Sequence, residues 1–164
     1  ISYNKNMLQE GFYFSQGEYT SGGIPMVQLI VERKGKGKTK HLLDKVNTEI
    51  QNVSGNIVYL DKSRKHMFEL NNKIRLIDVP SYLISDSDEF IGFICGIISQ
   101  DHDLQQMYFD SFLKIACLEN DDIEPIIKKL EVISDTFGVD FIVSVSYDEG
   151  ELPESLKEKV IVSL

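Results

Sequence analysis

The residues best suited to chemistry stand together at Glu32-Arg33-Lys34-Gly35-Lys36-Gly37-Lys38-Thr39. The last three match the end of the pattern G-x-x-x-x-G-K-[ST], whose chemistry is phosphate binding, and Glu32 stands where that pattern has its first glycine. Gly35 and Gly37 let the backbone bend close to phosphate oxygens. Lys38 reaches the β- and γ-phosphates as a point charge, and the Thr39 hydroxyl is offered to Mg2+. Lys34, Lys36 and Lys40 add positive charge around them. Glu32 costs backbone freedom and brings a carboxylate toward the anion, which Arg33, Lys34 and Lys36 partly offset. The competing reading is a solvated basic turn with alternate lysines facing water.

Context decides between the two. The apolar run Val27 to Val31 predicts a buried strand immediately before the loop, and Leu42, Leu43, Val46 and Ile50 fall on one face of a helix immediately after it. A strand, a glycine turn and a helix N-terminus are what backbone N–H groups need in order to converge on an anion. Such a loop calls for a second acid at the end of a later strand, where it binds the Mg2+ water shell. Met107-Tyr108-Phe109-Asp110 fits that requirement. Ser111 follows Asp110 where a water-activating glutamate is common, so the candidates for a catalytic base are Asp101 and Asp103, around His102, or Asp86 and Asp88, the first pair being nearer along the chain to the Asp110 strand.

On these residues the chain resembles the P-loop NTPase superfamily over about residues 26–147. A further strand-helix unit between the loop strand and the Asp110 strand looks like its RecA-like or related ATPase branch. Phe109-Asp110-Ser111 is similar to the acid-ended strand of small bacterial ATP-binding proteins. The resemblance implies a nucleotide, ATP by preference, bound with Mg2+ at Lys38 and Thr39, with Asp110 as the second acidic element. It also implies a polar sensor at the end of the next strand, a role Ser144 or Ser146 matches. The expected function is a slow ATPase or nucleotide-dependent switch, and the alternative is an interaction protein of the same fold that has lost turnover.

The elements that must hold these groups follow from periodicity and caps. Asn56 to Leu60 predicts a second strand, and Lys65–Leu70 with Lys73–Val79 predicts an inserted hairpin turned at Asn71-Asn72. Ser85 to Glu89 supplies N-cap oxygens and first-turn negative charge for a helix running to about Ser99. Gln106 to Phe112 returns to strand composition, Asp122 to Phe137 repeats apolar residues at helical spacing, and Gly138 suits the position after that helix. Phe141 to Val145 and Val160 to Leu164 predict the last strands. Strands alternating with helices imply an α/β fold with a mainly parallel sheet covered on both faces. Residues 26–164 read as one domain, and 1–25, ending in Gly22-Gly23-Ile24-Pro25, as an N-terminal extension.

Composition narrows the partners. Of 164 residues 42% are hydrophobic and 26% charged, which suits one globular domain. The net charge of −9 is uneven, with 12 Lys+Arg against 8 Asp+Glu over 1–84 and 5 against 18 beyond. An acidic chain repels nucleic acid and anionic membrane, so an anion must be caught locally in the first part. The basic cluster Lys62, Arg64, Lys65, His66, Lys73 and Arg75 lacks interleaved aromatics beyond Phe68, which argues for a solvated face over nucleic-acid binding. Cys95 and Cys117 read as reduced core thiols of a cytoplasmic protein, and the apolar stretch Phe90 to Ile98 is too short to cross a bilayer. His41, His66 and His102 show no metal-ligand spacing with one another or with the cysteines, so no structural zinc is expected. A nucleotide, and beyond it a protein, are the expected partners.

Overall fold

The computed structural model describes residues 26–33 and 37–164. The proposed extension 1–25 and the loop residues Lys34, Gly35 and Lys36 lie outside the described residues.

The chain alternates strand and helix: β1 (Val27–Val31), α1 (Lys38–Glu49), β2 (Asn56–Asp61), β3 (Arg75–Asp78), α2 (Ser87–Ser99), β4 (Leu104–Phe109), α3 (Phe112–Ile115), α4 (Glu124–Phe137), β5 (Asp140–Val145), α5 (Glu154–Lys157) and β6 (Val160–Ser163). The six strands form one sheet in the order β3-β2-β4-β5-β1-β6, and every pair is parallel. Parallel strands need both faces covered, because each crossover lays its connection on the sheet. One face carries α2, α3, α4 and α5, with Leu29, Val58, Phe109 and Val143 packed against Phe90, Ile94, Ile127 and Leu156. The opposite face carries α1, whose Leu42, Leu43, Val46 and Ile50 meet Ile30, Tyr59, Tyr108 and Ile142. The helical stripe read from the sequence is the stripe that is buried.

Caps act as expected. Asp86 accepts from the Glu89 N–H at 2.8 Å to open α2, and Gly138 closes α4 at φ 68°, a left-handed conformation that costs glycine little. The apolar face of α2 packs through Phe90, Ile94 and Ile98, while its exposed positions include Gly92 and Gly96. Both cysteines are unpaired and half-buried, Cys95 packing at the margin of the larger core.

The expected hairpin over 65–79 is absent. Met67–Glu69 forms a single 3-10 turn, and β3 pairs with β2 in parallel, Val58 opposite Arg75 and Asp61 opposite Asp78. The reason lies in α1: the Asn47 amide donates to the Glu69 carbonyl and its oxygen accepts from the Asn71 N–H, both at 2.8 Å. These bonds hold the connection against α1 as a crossover, with Leu70 and Ile74 facing the second core. A smaller correction concerns β4, which ends at Phe109, so Phe112 belongs to α3.

Candidate functional site

The register aligns Leu60 with Phe109 and Phe109 with Val143. Because side chains alternate across a strand, the next residue of each strand turns to the face covered by α1. Asp61, Asp110 and Ser144 therefore form a polar row at the C-terminal edge of the sheet, one step beyond Tyr59, Tyr108 and Ile142. All three are buried, at 2%, 3% and 2% exposure.

Asp110 is the hub. Its Oδ1 accepts from Thr39 Oγ1 at 3.2 Å, the Ser111 N–H at 2.8 Å and Ser144 Oγ at 3.4 Å. Its Oδ2 accepts from the Tyr59 hydroxyl at 2.9 Å. Ser144 is fixed from the other side, since its Oγ accepts from the Ser111 N–H at 3.1 Å. Ser111 reaches both partners from a left-handed backbone, φ 53° and ψ 45°, which a non-glycine residue adopts only against strain. The Tyr59 phenol, buried and facing the Asp110 carboxylate, is held above its usual range.

Thr39 arrives from α1, where Gly37 at φ 130° turns the chain into the helix. A β-carbon at that φ would be strained, which gives the glycine a specific use. Lys38 opens α1, and its Nζ donates to the Glu32 carbonyl at 3.0 Å, closing the turn from β1. The Glu32 side chain is 2% exposed, and among the described residues neither of its carboxylate oxygens has a hydrogen-bond partner. Arg33 does not offset it: its guanidinium pairs outward with Asp148 at 2.5 Å and Glu151 at 2.8 Å. Lys40 is exposed on the first turn of α1.

The nearer pair of proposed bases is elsewhere. Asp101 and Asp103 precede β4 and Asp110 follows it, so six strand residues, roughly 20 Å of chain, separate them. Asp101 instead ties the turn before β4, accepting from Asn56 Nδ2 at 3.0 Å and from the Asp103 N–H at 2.9 Å. Of the two sensor candidates, Ser144 is in the row and Ser146 is exposed beyond the end of β5.

Asp61 takes the place beside Asp110 that sequence reasoning gave to Asp101 and Asp103. Burial, and then the charge of Asp110, push its carboxyl up to about 6, while the Lys62 N–H, His66 and Lys62 pull the other way. The Lys62 N–H bonds Asp61 Oδ1 at 2.6 Å. The signal was present: Ile57-Val58-Tyr59-Leu60-Asp61 is an apolar strand ending in an acid, as Met107 to Asp110 is. His66 also comes to this edge, so that Asp61, His66 and Asp110 each offer a ligand atom within 4.8 Å of the other two. Among the described residues no helix is long and apolar enough to cross a membrane. No protein-family model matches the chain, and no curated protein or solved structure matches it.

Proposed function

We propose that this chain binds a nucleoside triphosphate, ATP by preference, together with Mg2+ at the edge formed by Lys38, Thr39 and Asp110, as a slow ATPase or nucleotide-dependent switch of the P-loop NTPase superfamily. The observation that carries the reading is the Thr39–Asp110 hydrogen bond, which joins the hydroxyl opening α1 to the acid ending β4. A buried acid against a helix-opening threonine is a fitting donor set for a hard cation with a water shell. In this reading Lys38 releases the Glu32 carbonyl to meet phosphate oxygens, Thr39 and Asp110 orient the cation, and Ser144 holds Asp110. Mg2+ when bound supplies charge neutralisation on the phosphates.

Lys38→Ala tests the reading. Titration of the full chain with Mg2+-ATP should give measurable binding in the wild type and none in the variant at equal folded content. Equal affinity in both overturns it. The second reading, an interaction protein without turnover, is favoured by Ser111 standing after Asp110 and by the distance of Asp101 and Asp103. Phosphate release by the wild type separates the two.

A further inference from the structure

The polar edge contains more than a nucleotide site needs. Asp61 and Asp110 are two buried carboxylates on neighbouring strands, and no lysine or arginine is paired with either among the described residues. Two carboxylates so placed repel each other when ionised, and a cation or a proton between them relieves that repulsion.

The third group facing them is an imidazole. His66 Nδ1 stands 2.9 Å from Glu69 Oε1, an arrangement that leaves Nε2 free to coordinate and fixes the ring, as carboxylates behind metal-bound histidines do. We infer that Asp61, His66 and Asp110 form a binding site for a divalent transition metal, Mn2+ or Zn2+ in preference to Mg2+, with Glu69 orienting His66. The donor set supports the choice: imidazole suits transition metals, whereas Mg2+ prefers oxygen and water. The ligand atoms lie within 4.8 Å of one another, and bonds of about 2.1 Å bring such atoms to about 3–4 Å, a modest side-chain adjustment.

Most of the shell is already in place. Asp110 Oδ2 accepts from Tyr59 alone among the described residues, leaving a lone pair for a cation, and Asp61 is pinned through Oδ1 by the Lys62 N–H. His66 is the adjustable member, on the segment that Asn47 ties to α1 through Glu69 and Asn71. The site needs no nucleotide, so it goes beyond the function proposed above although it shares Asp110 with it.

The test uses the full chain without nucleotide and metal alone as probe. Calorimetric titration with Zn2+ and with Mn2+ should show one site per chain, and His66→Ala should weaken it at least tenfold. Equal affinity in His66→Ala and wild type, or no binding by the wild type, overturns the inference. A second measurement needs no variant. Substoichiometric Mn2+ should broaden the His66 ring proton signals before those of His41 and His102, and uniform broadening or none at all overturns the inference. ATP titrated separately keeps the readings apart, since metal binding without nucleotide binding would sink only the proposed function.

Discussion

Thr39 and Asp110, 71 residues apart in the chain, meet through one hydrogen bond of 3.2 Å, and that bond couples the helix following β1 to the strand two places away in the sheet. Thr39→Val keeps the shape and removes the donor. Asp110 retains Tyr59, Ser111 and Ser144, so the stability loss should be small, about 0.5–1.5 kcal/mol by urea unfolding. Nucleotide affinity should fall roughly tenfold in the presence of Mg2+ and little in its absence, because the hydroxyl is a cation ligand in this reading. An equal loss with and without Mg2+ would assign Thr39 to the phosphates.

Asp101 is a structural acid, and its removal separates stability from turnover. Asp101→Ala leaves Asn56 Nδ2 and the Asp103 N–H without their acceptor and should cost about 1–2 kcal/mol. Any ATP hydrolysis should stay within about twofold of the wild type, given roughly 20 Å of strand between this turn and Asp110. Single-turnover phosphate release beside a denaturant melt checks both. Turnover in the wild type should itself be slow, since a general base is worth roughly 10²–10⁴-fold and no acid follows Asp110.

Asp140, at the start of β5, gives a pH-dependent prediction away from the candidate site. Burial, and secondarily the charge of Glu49, raise its carboxyl above the usual range, against the opposing Met26 N–H bond of 3.0 Å and the charge of Lys45. The folded protein therefore binds more protons than the unfolded chain above about pH 4, and stability from this group declines as pH rises through that window. Asp140→Asn keeps an acceptor for Met26 and removes the charge. Its thermal midpoint should exceed that of the wild type by a few degrees at pH 7. At pH 3 the two should coincide, and a constant difference across both pH values would exclude the carboxyl as the cause.

What could be read in the sequence depended on how local the cause was. Helix α1 announced itself through Leu42, Leu43, Val46 and Ile50, and α2 through the Asp86 cap, because spacing and capping are decided within a few residues. The hairpin was misread because the Asn71-Asn72 signal is local while the bonds that decide the backbone, from Asn47 to Glu69 and Asn71, come from another element. At the site, Asp110 and Ser144 were legible as strand-end polar residues. Asp101 and Asp103 were attractive for their nearness to Asp110 along the chain, which a strand turns into distance. His66 was counted with Lys62, Arg64 and Lys65 as surface charge, since only the sheet register brings β2 and β4 together and with them Asp61 and Asp110.

The position of β1 has a consequence for the order of events during synthesis. Of the described strands β1 emerges first, yet its two neighbours are β5 and β6, the two that emerge last among them. A ribosome that has extruded everything through α4 holds β2, β3 and β4 as adjacent strands, with β1 still lacking both of its hydrogen-bonding edges. Residues 27–39 must then wait, tethered by α1, until β5 is released and bridges them to β4. The edge carrying Thr39 against Asp110 is thus assembled only once β5 has emerged, and a nascent chain arrested before residue 140 would contain Lys38, Thr39 and Asp110 without the strand that sets them in register.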